Sequence, residues 1–277
     1  MMNTPISHEA LRMVDVATLR DTIRTGRYQG HTAGLAAGFL QVNLVILPER
    51  YARDFLRFCQ RNPKPCPLVG VTDAGVRRFH TLGHDLRADT DAPGYNVYEN
   101  GELARQCDNV AALWRDDFVA FALGCSFTFE HALMNAGIAM RHVDENKTVP
   151  MFRTNLPLIA AGPFAGTMVV SMRPVRKRDL SEVAEISARF PLAHGGPVNT
   201  GTPSAIGIKD VEKPDWGDAV DIRDEEVPVF WACGVTPQNV AIAARLPLFI
   251  SHRPGAMLIT DVNERADPPI LDRRRAT

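Results

Sequence analysis

Short apolar runs alternate with helical segments along this chain, and that alternation limits its fold more than any other feature. VNLVILP (42–48), PLVGVT (67–72), TMVVSM (167–172), VPVFWA (227–232) and AMLITDV (256–262) read as buried strands. Between them, ERYARDFLRFCQRN is an amphipathic helix with Phe55, Leu56, Phe58 and Cys59 on its inner face. DLSEVAEISARF (179–190) is a second, with Asp179 as its N-cap, and a third starts at Thr236-Pro237. There threonine would cap the helix and proline would take its first position. Residues 8–25 read as one further helix. Helices alternating with apolar strands predict an α/β fold. Residues 73–107 are polar and turn-rich, with a hairpin closed by Asn100-Gly101. They are assigned to a smaller inserted or flanking α+β domain, and residues 1–72 and 108–277 to the main domain.

Composition removes several functions. The 277 residues carry 31 Lys+Arg against 32 Asp+Glu, a formal net charge of −1. No basic excess is available to neutralise phosphates, so nucleic acid is not an expected partner. Five cysteines without a C-x-x-C form neither a disulfide framework nor a zinc ribbon. The N-terminus lacks the basic and apolar regions of a signal peptide, and no apolar run is long enough to span a membrane. A soluble cytoplasmic protein is expected, with a small carboxylate or amino acid as its partner and homo-oligomerisation open. Gly26, Gly30, Gly34 and Gly38 stand four apart, which suits close packing or a backbone approaching a ligand. They match neither nucleotide fingerprint, and no cofactor is expected.

The most informative feature is an internal echo. FVAFALGCSFTFE (118–130) and VPVFWACGVTPQ (227–238) each run from an apolar strand to a cysteine, then to a threonine three residues on, then into a helical pattern. A cysteine between strand and helix meets unpaired N–H groups and the positive end of the helix dipole. Both favour thiolate and predict a lowered pKa for Cys125 and Cys233. Both also favour a bound carboxylate, with N–H donors near Ser126–Thr128 and Val235–Gln238. Ser126, Thr236 and Gln238 are therefore candidate binding residues. Buried packing is the competing reading of either cysteine.

Arg153 with Thr154 and Asn155, and Ser171 with Arg173, follow strands and are candidates to hold a carboxylate. His194, in the loop HGGP, and His252 are candidate proton carriers. No histidine spacing suggests a metal ligand set. Asp215, Asp218 and Asp221 read as a turn-forming loop before a cation site.

Taken together, GRYQGHTAGLAAGFLQVNLVILP, GCSFTFE, VPMFRTN, RFPLAHGGPVNTGTPSAIGI, FWACGVTPQ and HRPGAMLITD resemble the D-glutamate cyclase family, whose bacterial members carry hydro-lyase labels. The resemblance covers roughly residues 20–262. It departs at Asn199, where a second histidine is the family expectation. It implies two unlike α/β domains, a larger three-layer domain and a smaller α+β one, and dehydration of D-glutamate to 5-oxo-D-proline. For that reaction the residues themselves, not the resemblance, assign Cys125 and Cys233 as the reactive pair, Arg153 and Arg173 as the holders of the α-carboxylate, and His194 or His252 as an alternative proton carrier. Two other readings compete. One is a cofactor-independent amino-acid racemase or epimerase using the cysteine pair. The other is a carboxylate-binding protein without catalysis.

Overall fold

The computed structural model describes residues 5–266 and residue 270. The chain opens with α1 (His8–Leu11), α2 (Val16–Arg24), β1 (Phe39–Pro48) and α3 (Glu49–Arg61). β2 (Leu68–Val71), β3 (Tyr95–Glu99), β4 (Glu102–Cys107), β5 (Phe118–Gly124) and α4 (Phe127–Asn135) follow. Next come α5 (Arg141–Asp144), β6 (Met151–Pro157), β7 (Thr167–Arg176), α6 (Leu180–Ala188) and β8 (Asn199–Thr200). β9 (Glu226–Ala232), α7 (Val235–Ala243), β10 (Phe249–His252) and β11 (Leu258–Asn263) complete the order. The helix expected over residues 8–25 is two helices. Asp15 separates them, and its carboxylate caps α2 by accepting the Thr18 N–H at 2.9 Å.

The protein is a mixed α/β fold built on two antiparallel sheets. One runs β2-β5-β1-β10-β3-β4, with β11 also paired to β1; the other runs β6-β7-β9-β8. The hairpin of β3 and β4, within residues 73–107, forms one edge of the larger sheet. Asn100 and Gly101 both have positive φ, as the tight turn between these strands requires.

β1 explains the layering. Leu40, Val42, Leu44 and Ile46 enter one core, and Val45 and Leu47 enter the other, so both faces are covered. Each such side chain contributes about 2 kcal/mol on burial, and a one-residue slip would exchange the two faces. Gln41 and Asn43 share the odd-numbered face, which is therefore polar at the start of the strand and apolar at its end.

The register carries consequences for the site. β5 lies along β1 from Pro48↔Phe118 to Val42↔Gly124, so Cys125 arrives beside Gln41. In the smaller sheet β9 lies along β7 up to Val170↔Ala232, so Cys233 arrives beside Val169. Both cysteines join one buried cluster with Phe129, Trp231, Phe190 and Ala193. Among the described residues no helix is long and apolar enough to cross a membrane.

Candidate active site

The echo in the sequence is a matched pair of turns in the structure. The Cys125 N–H donates to the Gln41 carbonyl at 3.1 Å, and the Cys233 N–H donates to the Val169 carbonyl at 3.0 Å. Three residues on, the Thr128 hydroxyl accepts the Gln41 N–H at 3.2 Å, and the Thr236 hydroxyl accepts the Val169 N–H at 3.0 Å. The Thr128 and Thr236 N–H groups donate back to the Cys125 and Cys233 carbonyls, at 3.1 and 2.9 Å. Cysteine and threonine thus bracket one residue of the neighbouring strand, end their own strand and start their own helix. Thr236 is not the cap foreseen for α7: the helix begins at Val235, and its hydroxyl is spent on Val169. Ser126 does stand at the start of α4, but its hydroxyl accepts from Arg173 at 3.0 Å.

The two turns meet on one side chain. Asn43 Nδ2 donates to the Gly124 carbonyl at 2.9 Å and the Leu123 carbonyl at 3.3 Å, on the Cys125 side. On the Cys233 side, a Cβ at Gly234 would overlap the same amide. Gly124 is equally confined, since its Cβ would fall on the Leu192 carbonyl.

Arg173 lies beneath this junction, buried on β7. Its guanidinium donates to Glu130 Oε1, to Ser171 Oγ at 3.0 Å and to Ser126 Oγ at 3.0 Å. It stacks between Phe129 and Trp231, 5.4 Å from each ring. His142 Nε2 stands 3.0 Å from the same Glu130 oxygen. Burial opposes ionisation of Glu130, but His142 and Arg173 hold its carboxyl down at about 2. Three side chains occupy the Arg173 fork, so it offers the site its charge more than open donors.

The thiols correct an expectation. Burial raises both above the ordinary value, and it outweighs the helix ends. Cys233 is pushed up to about 11, opposed by the Val235 N–H and by the Arg173 charge. Cys125 is pushed higher by burial, with the Phe127 N–H opposing and the charge of Cys233 adding. Charge at one thiol is therefore felt at the other. Both rest as thiols near neutral pH, and Cys233 is the easier of the two to ionise.

Both candidate histidines are buried and neutral. His194 has a left-handed backbone, φ 75°, and its Nδ1 donates to the Lys64 carbonyl at 2.9 Å. Its Nε2 is buried without a hydrogen-bond partner among the described residues. His252 Nδ1 accepts the Leu44 N–H at 3.1 Å and lies 2.9 Å from Gln238 Nε2, which ties β10 to α7. Burial lowers each ring from 6.5 to about 4. Each binds a proton more readily in the unfolded chain, so their contribution to stability is whole above pH 6.5. It is lost as pH falls toward 4. Urea unfolding between pH 7 and pH 4 is expected to show that decline, and a flat profile across the window would contradict it.

Two comparisons place the chain among known proteins. The family model described as D-glutamate cyclase matches residues 119–261, a span that includes both cysteine turns, Arg173 and both histidines. The chain belongs to the D-glutamate cyclase family. A protein of Ruegeria pomeroyi, named a "Putative hydro-lyase", is 57% identical over 96% of this chain and 97% of its own. Proteins with the same name from Dinoroseobacter shibae and a Jannaschia species are 55% and 57% identical. They cover 95% and 92% of this chain and 88% and 96% of their own. A solved nitrogen repressor-like protein from Methanococcus jannaschii aligns with 86% of this chain and 96% of its own at 10% identity. Its TM-score is 0.38, and the likeness carries no functional weight.

Not every residue singled out in this cyclase-family chain reaches the junction. Arg153 lies on the edge strand β6 and is exposed. It pairs with Asp215, stacks over Trp216 at 4.4 Å and reaches Asn239 at 3.3 Å. Thr154 is buried, with its hydroxyl donating to the Met168 carbonyl at 2.6 Å. Asp218 accepts the Thr148 N–H at 2.8 Å. Among the described residues no group of three or more His, Cys, Asp or Glu is placed to hold a metal. Arg153→Ala is expected to leave turnover within about twofold and stability within about 1 kcal/mol, as for other exposed ion pairs. Steady-state kinetics and urea unfolding measure both.

Asn43, Glu130 in its ion pair, and His142 are site residues that motif reading passes over. For Asn43 a signal exists: it is a polar residue inside the apolar run VNLVILP. A buried amide in such a strand needs hydrogen-bond partners, and these partners are the cysteine turn.

Proposed function

We propose that this chain is a hydro-lyase that closes D-glutamate to 5-oxo-D-proline with loss of water. The observation that carries the reading is the meeting of the two cysteine turns at one amide, that of Asn43, with the buried Arg173 guanidinium close enough for its charge to be felt at both thiols. Family membership and the hydro-lyase names of its relatives support the reaction class.

In this reaction the substrate amine attacks the distal carboxyl carbon. The ammonium nitrogen loses two protons and the distal carboxylate oxygen gains two, so a C–N bond forms, a C–O bond breaks and the oxygen leaves as water. One proton passes from nitrogen to oxygen in the tetrahedral intermediate, and the other moves through the thiols. Cys233, the easier thiol to ionise, takes a proton from nitrogen once it has given its own to solvent. Cys125, which keeps its proton, gives it to the departing oxygen. The fixed charge of Arg173 favours the thiolate form of Cys233. The substrate carboxylates meet the N-terminal ends of α4 and α7, where the backbone dipoles favour negative charge.

The test offers purified protein D-glutamate and L-glutamate separately, with and without divalent metal, and detects 5-oxoproline by chiral chromatography. Product from the D isomer alone is the expected result. No product from either isomer, with the protein folded, would contradict the reading.

A further inference from the structure

We propose that the two thiols also exchange the α-hydrogen of a bound amino acid with protons derived from solvent, the substrate class being small amino acids with a free α-carboxylate. The proposal rests on the reading of this junction as an amino-acid site. It goes beyond cyclisation, which moves protons at nitrogen and oxygen and leaves the α carbon untouched.

The equality of the two turns points to it. Cyclisation needs a base at one atom and an acid at another, and nothing in it asks for two alike frames. Here the frames match bond for bond. Cys125 with Thr128 brackets Gln41 from the larger sheet, and Cys233 with Thr236 brackets Val169 from the smaller one. Each thiol faces the N–H two residues on, at the start of its own helix. Both turns abut the Asn43 amide. Two like arms reaching one point from different sheets suit a single tetrahedral carbon, with a proton taken on one side and returned on another. Cys233 is the easier thiol to ionise and Cys125 the harder, so Cys233, after losing its proton to solvent, is assigned as the base and Cys125 as the acid.

The step balances without a further reactant. The Cys233 thiolate takes the α-hydrogen, so the C–H bond breaks and an S–H bond forms. The electron pair passes into the α-carboxylate, giving an enediolate. Cys125 then delivers its proton to the α carbon, a C–H bond forms, and the pair returns. Thiol protons exchange with solvent, so deuterium oxide marks the α carbon.

The full chain is incubated in deuterium oxide with D-glutamate and, separately, L-glutamate, beside an enzyme-free control. The α-hydrogen is followed by proton NMR, and the masses of recovered glutamate and 5-oxoproline are measured. Deuterium at the α carbon is expected, reduced about 10²-fold in Cys125→Ser and Cys233→Ser. Exchange without 5-oxoproline would support the proposal and remove the cyclisation reading. 5-Oxoproline with a fully protiated α carbon would overturn the proposal and leave cyclisation standing. Neither exchange nor product from either isomer would overturn both.

Discussion

Serine in place of Cys233 is expected to lower turnover by about 10³-fold, within the range that general acid–base catalysis supplies. The hydroxyl keeps the shape of the turn and still accepts the Val235 N–H, so stability changes by about 1 kcal/mol. What is lost is a thiol that burial pushes up to about 11, against the opposing Val235 N–H and Arg173 charge. Cys125→Ser is expected to cost a similar factor, because it removes the acid of the same pair. Groups that act as a unit are not additive, so the double variant falls little further than either single one. Turnover numbers and far-ultraviolet circular dichroism decide the matter. Full turnover in both folded single variants would remove the thiols from the chemistry.

The second large effect is on stability. Glu130→Ala is expected to destabilise the fold by about 3–5 kcal/mol, because it leaves a buried guanidinium without its counter-charge. Arg173 is 1% exposed and Glu130 fully buried, so water cannot replace the missing carboxylate. Adding Arg173→Met to Glu130→Ala removes the orphaned charge and is expected to restore much of the loss. Urea unfolding of the two single variants and the double variant measures this as a cycle. The pH dependence has a defined sign. The Glu130 carboxyl is depressed from 4.5 to about 2, so its contribution is whole above pH 4.5 and is lost as pH falls toward 2. Together with the two histidines, which act between 6.5 and about 4, it makes the native state lose stability progressively in acid.

Much of the fold was legible because its central strands, such as β1 and β5, are buried on both faces and so appear as apolar runs. VNLVILP lies within β1 and VPVFWA within β9, and Asn100-Gly101 closes its hairpin. The helix over residues 8–25 misled because its apolar spacing continues across Asp15, whose capping bond to Thr18 is a local competitor. The cysteine echo was legible as spacing. That both turns bracket a neighbouring residue in the same way was not, because Gln41 and Val169 lie far from their cysteines in the chain. Helix-end logic gave the thiols the wrong sign: it counted the dipole but not the burial, which is the larger effect. Arg153 and Arg173 look alike after their strands. An edge strand leaves one in water, and the strand between two neighbours buries the other.

The central claim is that the Cys125 and Cys233 turns form one substrate-binding site. The most direct measurement is alkylation with iodoacetamide followed by peptide mapping, with and without D-glutamate. Cys107, which is partly exposed, serves as the internal reference, and Cys59 and Cys66 are buried elsewhere. The account predicts that Cys233 is labelled before Cys125, that labelling of either abolishes turnover, and that D-glutamate protects both but not Cys107. Unchanged labelling of both cysteines at saturating D-glutamate, with turnover retained after both are alkylated, would contradict it.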